Sequence, residues 1–225
     1  NPKLPWAERT DIGDRLVPVV QAARADKDLD LVIVTVHWGK EYLDEPEAWQ
    51  VRAAHKWIDA GADAVIGHHP HVIQGIERYK DKLIAYSLGN FLFDNTSSNR
   101  KWGGVLRLSY ERDTGSAEAC LDAASFHPTI VVPEPGHHVT IAKGKGFKAI
   151  ADRLIKLSKV KAMTRTAWTV DGDRLTTTTE VGDLADADPG RRELVVSARL
   201  CRSDRGWRQR LHHARRHEVR RRHRL

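Results

Sequence analysis

Three histidines lie where they could bind one metal ion. His69 and His71 form a His-x-His pair, and His37 lies upstream of them. Imidazole is the commonest protein ligand for zinc, iron and similar ions, and two imidazoles separated by one loop residue can reach the same small volume. An isolated pair of this kind is more often a surface or core feature than a metal site. The elements that carry the three histidines decide between these interpretations.

Two apolar runs predict neighbouring parallel strands. Residues 31–36 are rich in β-branched side chains without polar alternation, which is typical of a strand buried on both faces, and residues 63–66 form the next strand. A helical pattern that begins near Pro46 separates them, so the connection is a crossover. Ligands bind at the carboxyl ends of parallel strands. We therefore expect His37 and the His69–His71 pair to meet at that edge, which favours a metal site.

The rest of the chain predicts a mixed α/β fold. Three more strands and one helix follow from the same patterns, and the turn signal Asp113-Thr114-Gly115 makes the last two strands an antiparallel hairpin. These elements cover residues 83–87, 104–111 and 117–126 and, for the helix, residues 147–157. Prolines between Pro128 and Pro135 predict an irregular connection before that helix.

Three stretches resemble the CapA family, which is named for bacterial poly-γ-glutamate capsule synthesis and is built on the calcineurin-like metallophosphoesterase fold. The resemblance covers residues 10–130 well and the helix after Phe147 weakly. It is specific because three long motifs occur in the family's order and spacing. The motifs are Val-Ile-Val-Thr-Val-His-Trp-Gly-Lys-Glu-Tyr at 32–42, Ile-Asp-Ala-Gly-Ala-Asp-Ala-Val-Ile-Gly-His-His-Pro-His at 58–71 and Ile-Ala-Tyr-Ser-Leu-Gly-Asn-Phe-Leu-Phe-Asp at 84–94.

The resemblance implies a site for divalent metal ions. In that fold a lone strand-end histidine and a His-x-His loop supply ligands, which correspond here to His37, His69 and His71. Two ions, of manganese, iron or zinc, are expected in the complete protein. The implied chemistry is metal-assisted hydrolysis or transfer at a phosphoester, with a metal-activated water. Whether the chain is an enzyme is left open.

Four neighbouring residues have two interpretations each. His68 is either a further metal ligand or a loop residue that orients a neighbouring ligand or contacts substrate, and we assign it a catalytic role. Trp38 and Glu41 either bind substrate or orient a metal ligand; alternatively, Trp38 packs in the core and Glu41 forms a surface ion pair. Asn90 either faces the cleft as a substrate-binding group or serves as a turn residue, and we favour the cleft.

The resemblance also implies a partial four-layer α/β/β/α sandwich that lacks its N-terminal part. The superfamily's other ligands lie in an early Gly-Asp segment and an Asn-His segment, and neither precedes the motifs in this sequence. We therefore expect the chain to be the C-terminal part of such a domain. By itself it should bind metal poorly and be inactive, because too few donors remain to neutralise two ions.

The implied role is in capsule-polymer synthesis or export. The expected partners are an anionic polymer or phosphoester substrate and other capsule-synthesis proteins. The implied location is the cell envelope or outside the cytoplasm, with any signal or anchor upstream of Asn1. A non-enzymatic binding or assembly component of the same machinery is the alternative.

The net charge of +7 comes from one end of the chain. Residues 199–225 contain 11 arginines and two acidic residues, whereas the preceding residues carry 28 acidic against 26 basic side chains. We expect residues 1–164 to form the CapA-like domain, residues 165–198 a low-complexity extension and residues 199–225 a disordered tail. The tail lacks lysine and periodicity, which favours a non-native end over a polyanion-binding arm, and nucleic acid is not an expected partner. No apolar run is long enough to span a membrane.

Overall fold

A computed structural model describes residues 11–94, 97–111, 119–133, 135–136, 138–159 and 166–178. The Arg-rich tail and most of the expected extension lie outside these ranges, so the expected domain limits stay predictions. The described residues form three α-helices, a short 3-10 helix and nine strands. In chain order they are α1 (Ile12–Ala25), β1 (Ile33–His37), α2 (Ala48–Asp59), β2 (Ala64–His68), β3 (Ile76–Tyr79), β4 (Lys82–Ala85), the 3-10 helix (Ser98–Lys101), β5 (Trp102–Glu111), β6 (Cys120–Val132), β7 (His138–Ile141), α3 (Gly144–Leu157), β8 (Thr169–Asp171) and β9 (Arg174–Thr178).

The first sheet has the strand order β1-β2-β4-β3. β1 and β2 run parallel, as the crossover helix between them predicts; β4 also runs parallel to β2, while β3 runs antiparallel to β4. Helices α1 and α2 cover one face, and the Trp57 indole Nε1 donates to the Gly13 carbonyl at 2.9 Å, which ties α2 to α1. The predicted parallel strands are confirmed. Their carboxyl ends lie at one edge, where His37 pairs in register with His68.

The prediction that β1 is buried on both faces is wrong. Val32 and Val34 are buried against the helices, whereas Ile33 is 44% exposed and Thr35 is exposed. Among the described strands, β1 pairs only with β2, so it lies at the edge of the first sheet. A β-branched run therefore marks a strand here, but burial of its second face depends on what lies beside it.

The second sheet is antiparallel and has the order β5-β6-β9-β8, with β7 paired to β6 as well. The β5–β6 hairpin agrees with its prediction, and α3 begins three residues before its predicted start. Both sheets and α3 contribute to a second core, in which Ile76, Phe126 and Leu154 are fully buried. Strands β3, β7, β8 and β9 were not predicted. β7 occupies part of the expected irregular connection, and β8 and β9 extend the sheet beyond residue 164.

A buried aspartate holds the start of the first sheet together. Asp63 is 2% exposed; its carboxylate accepts hydrogen bonds from Arg24, from Lys82 Nζ at 2.7 Å and from the backbone N–H of Val32 at 2.9 Å. Tyr110 of β5 also donates to the Asp63 carbonyl at 3.1 Å. A buried carboxylate is tolerated when its oxygens are paired in this way. These bonds fix β1 relative to β2 and thereby the strand ends that carry the histidines.

Candidate metal centre

Two strands deliver histidines to the same edge. His37 is the last residue of β1 and His68 the last residue of β2, and they pair in register on one face. Beside His68, Gly67 lets β2 pack closely against the residue after β4 and against Trp38, because a Cβ at that position would collide with the Tyr86 carbonyl and with the Trp38 indole nitrogen. The same carbonyl accepts a hydrogen bond from Trp38 Nε1 at 3.1 Å. The packing of Tyr86 and Trp38 against the end of β2 therefore depends on the absence of a side chain at Gly67.

The loop after β2 brings His69 and His71 to this edge. His37 Nε2 lies 2.8 Å from His69 Nδ1, and the ring centroids of His69 and His71 are 6.0 Å apart. Donor atoms of Glu41, His69 and His71 all lie within 4.8 Å of one another. Imidazole nitrogens and a carboxylate oxygen bind zinc and similar ions at about 2.0–2.2 Å, so these donors are close enough to share one ion. The donor set therefore fits a divalent transition metal.

The backbone of this site is strained. Tyr42, His69 and His71 have φ values of 62°, 103° and 56°, a region that side chains other than glycine rarely adopt. Among the described residues other than glycine, Lys80 and Asp81 share this property, and they form the two-residue turn of the β3–β4 hairpin, which requires it. The site residues have no such explanation. Strain of about 1–3 kcal/mol per residue is characteristic of functional sites.

Glu41 reaches the histidines because the chain reverses after β1. Gly39 has a φ of 84°, and a Cβ there would lie 2.6 Å from Gln50 Nε2, so the turn requires glycine. The Tyr42 N–H then donates to the Pro70 carbonyl at 2.8 Å, which ties this turn to the His69–His71 loop. Sequence reasoning treated Glu41 as a substrate or surface residue and missed it as a candidate ligand. The Gly39 turn was the available signal.

Asn90 orients His71. It is 5% exposed, and its Nδ2 donates to the Arg100 carbonyl at 2.7 Å, so its Oδ1 must be the atom that faces His71 Nδ1 at 2.7 Å. An amide oxygen can only accept, so His71 carries its proton on Nδ1 and leaves the Nε2 lone pair free. Partners of this kind fix the tautomer of metal-binding histidines. Asn90 therefore faces the site but contacts a histidine.

The electrostatics keep two of the histidines neutral. The pKa of His37 is lowered below 6.5, first by partial desolvation and then by its neighbours His69, His68 and His71. The pKa of half-buried His68 is lowered by desolvation. Neutral imidazole is the form that binds metal ions, since a proton and a metal compete for the same lone pair.

Of the other residues predicted for the site, Trp38 packs in the core and His68 lies beside the metal-binding group. Trp38 is 1% exposed and stacks on Trp57 with ring centroids 5.4 Å apart, which fits the packing interpretation and not contact with a substrate. His68 lies beside the cluster without belonging to the Glu41–His69–His71 group. The function of His37, His69 and His71 as ligands stays a prediction, although the structure brings all three to one edge.

The rim of the site is aromatic and apolar. The ring of Phe93 lies 4.5 Å from the ring of His71, and the ring of Tyr42 lies 6.3 Å from it. Phe91 and Leu92 are 57% and 63% exposed. Arg100 lies over the Tyr42 ring. A substrate that reaches the histidines would therefore pass exposed apolar surface and one stacked arginine.

Two sheets, a helical layer on the first sheet and histidines at the carboxyl ends of its parallel strands define a metallophosphoesterase-like α/β fold. Residues 5–95 match the family described as bacterial capsule synthesis protein PGA_cap. This region belongs to that family, which includes the CapA proteins.

Known relatives carry capsule-related names. The capsule biosynthesis protein CapA of Bacillus anthracis is 42% identical over 106 residues, which is 46% of this chain and 26% of that protein. The PGA biosynthesis protein CapA of Bacillus subtilis is 33% identical over 164 residues, 71% of this chain and 38% of that protein. A probable polyglutamine synthesis accessory protein of Mycobacterium tuberculosis is 31% identical over 120 residues, 52% of this chain and 31% of that protein. The chain thus spans well under half the length of these relatives.

In the part of the chain that the structure describes, no helix has the length and apolar character needed to cross a membrane.

Proposed function

We propose that this chain supplies the histidine side of a divalent-metal site in a capsule-polymer synthesis protein. The observation that carries the proposal is the convergence of Glu41, His69 and His71 within 4.8 Å, with His37 against His69. Strained backbone at His69 and His71 supports it, because a fold retains such strain where it positions functional groups. The capsule-related names of the relatives supply the biological setting, including action at the cell envelope.

Each residue of the site has a distinct task in this proposal. Glu41, His69 and His71 hold a metal ion. His37 adjoins this group, with its Nε2 atom 2.8 Å from His69 Nδ1. Asn90 keeps the Nε2 lone pair of His71 available. A bound divalent ion would supply Lewis-acid polarisation of a phosphoryl oxygen and a more acidic water.

His68 is the proposed proton-transfer group. It is half-buried beside the cluster, and its lowered pKa keeps the ring neutral, so a free ring nitrogen can accept a proton from water or substrate. The anionic polymer or a phosphoester is the proposed substrate. The proposed reaction is hydrolysis or transfer at a phosphoester, and this reaction requires a complete metal site.

A non-enzymatic role has specific support as the second candidate. Among the described residues, the metal-binding group contains a single carboxylate, Glu41, which leaves a dinuclear site short of anionic ligands. The Mycobacterium tuberculosis relative is named as an accessory protein. In this alternative the same cluster binds a metal ion to organise the protein and not to turn over substrate.

Titration of the chain with Mn²⁺, followed by nuclear magnetic resonance of the histidine ring protons, tests the site. A bound paramagnetic ion broadens nearby signals even when binding is weak. We expect the rings of His69 and His71 to broaden first, and His69→Ala to remove the effect. The matched control is His138→Ala, since His138 is exposed on β7. Equal broadening of His138 and His69 would contradict the proposal.

Hydrolysis of bis(p-nitrophenyl) phosphate with Mn²⁺ separates the two candidates. We expect the chain alone to bind metal weakly and to show no turnover, because Glu41 alone cannot neutralise two divalent ions. Turnover that His69→Ala abolishes and His138→Ala preserves would establish an enzyme. Metal binding at the cluster without turnover, also in a longer relative, would favour the accessory role.

A further inference from the structure

Arg100 is held at the rim of the site by an aromatic ring. It lies in the short 3-10 helix, is half-buried, and its guanidinium carbon is 3.6 Å from the centroid of the Tyr42 ring. Such cation–π contacts are favourable and leave the guanidinium edge open. The stack therefore restricts where the side chain lies without using its hydrogen-bond donors.

The guanidinium of Arg100 forms no hydrogen bond or ion pair with any residue in the described ranges. Other arginines do find a carboxylate: Arg153 pairs with Asp44 at 2.7 Å and Arg174 with Asp171 at 2.6 Å. Guanidinium carries five N–H donors and matches carboxylate or phosphate oxygens two at a time. A half-buried arginine that stacks on a ring and has no carboxylate partner among the described residues is thus equipped to bind an external oxyanion.

Two sets of contacts fix Arg100 relative to His71. The Arg100 carbonyl accepts from Asn90 Nδ2 at 2.7 Å, and Asn90 Oδ1 bonds to His71 Nδ1 at 2.7 Å. On the other side, the Tyr42 N–H is bonded to the Pro70 carbonyl, and the Tyr42 ring lies 6.3 Å from the His71 ring. Backbone and side chain of Arg100 are therefore both linked to the loop that carries the histidines.

We propose that Arg100, stacked on Tyr42, is an oxyanion-binding residue for the substrate that occupies the histidine site. It would take a carboxylate or a phosphoryl group presented by an anionic polymer or a phosphoester. The proposal rests on the proposed function, because it assumes that the substrate is an anion at this edge. Its role is substrate positioning and selection of anions, separate from metal binding.

The test measures binding of two probes by isothermal titration calorimetry at fixed low ionic strength. One probe is a γ-linked glutamate oligomer and the other is inorganic phosphate, so the two arms distinguish a carboxylate from a phosphoryl ligand. Each titration is made with EDTA and, separately, with Mn²⁺. The variants are Arg100→Gln, which removes the charge, and Arg100→Lys, which keeps the charge but loses the planar fork.

Arg107→Gln is the matched control, since Arg107 is an exposed arginine on β5 and the substitution removes the same charge. We expect Arg100→Gln to weaken binding of at least one probe by about ten- to a hundredfold, as for a lost charged hydrogen bond. Arg100→Lys should give an intermediate loss. Arg107→Gln should stay within about twofold of the unsubstituted chain, because exposed charges contribute little. Thermal unfolding midpoints check that each variant folds.

The outcomes separate this inference from the metal proposal. An Arg100-dependent loss with EDTA present supports the subsite even if the histidines bind no metal. Equal losses in Arg100→Gln and Arg107→Gln would overturn the subsite, as would a chain that binds neither probe under any condition. Metal binding at the histidines together with unchanged probe binding by Arg100→Gln would leave the metal site standing and remove the subsite.

Discussion

Substitution of Asn90 by alanine should impair the histidine site without touching a ligand. The side chain is nearly buried and makes two short hydrogen bonds, to His71 Nδ1 and to the Arg100 carbonyl, each at 2.7 Å. Alanine removes the acceptor that holds the His71 proton on Nδ1. The ring is then free to move its proton to Nε2, the nitrogen that the structure leaves available for metal.

The expected size of the effect follows from these two bonds. Partners that orient a metal-binding histidine contribute about ten- to a hundredfold to metal affinity. The loss of two buried hydrogen bonds should lower the free energy of unfolding by about 1–3 kcal/mol. We therefore expect Asn90→Ala to remain folded at moderate temperature and to bind Mn²⁺ at least about tenfold more weakly.

Two measurements check the reasoning behind Asn90→Ala. Long-range ¹H–¹⁵N spectra report the His71 tautomer, which should change from mainly Nδ1–H towards Nε2–H. Mn²⁺ broadening reports the affinity. Ser158→Ala is the control, because it removes a buried hydrogen bond from the Ile76 N–H, 3.1 Å long, that lies outside the Asn90–His71 pair. An unchanged tautomer together with unchanged Mn²⁺ affinity would refute the argument.

Three further predictions concern the cluster and its support. Glu41→Gln should weaken Mn²⁺ binding at His69 without lowering the unfolding free energy, since Glu41 is exposed; equal affinity would remove it as a ligand. Desolvation lowers the pKa of both His37 and His68 in the folded state, so the unfolded chain binds more protons below about pH 6.5, and stability should fall from about pH 7.5 to about pH 5.5. Urea unfolding at a series of pH values measures the unfolding free energy of the chain and of the His37→Gln/His68→Gln double variant. The same dependence of that free energy on pH in both proteins would contradict the prediction. Asp63→Ala should cost about 3–5 kcal/mol because it leaves two cations without their buried carboxylate, and a loss under about 1 kcal/mol would contradict that account.

Local patterns were sufficient for the part of the fold that carries the histidines. The apolar runs before His37 and His68 and the crossover helix between them predict parallel strands, and parallel strands place their carboxyl ends together. The meeting of His37 with His69 follows from that topology alone. Membership of Glu41 in the cluster does not follow, because it depends on the reversal at Gly39 and on the bond from Tyr42 to Pro70.

Contacts between distant residues explain the strands that were missed. β3 carries Glu77 and Arg78, two charged residues that argue against a buried strand. Glu77 is nonetheless fully buried, because Tyr86 donates to it at 2.6 Å and His55 Nε2 lies 3.0 Å from it. The same environment raises the pKa of Tyr86, mainly through burial and then through the charge of Glu77. The hydrogen bonds that make burial of Glu77 possible come from residues elsewhere in the sequence, so no periodic pattern predicts them.

A crystal structure of the chain with Mn²⁺, in which an anomalous difference map locates the ion, tests directly whether the histidines form a metal site. We expect a peak within bonding distance of Glu41, His69 and His71 at the carboxyl ends of the parallel strands, with His37 adjoining it. A strong Mn²⁺ peak elsewhere, with the Glu41 carboxylate turned away and the rings of His69 and His71 unliganded, would contradict it.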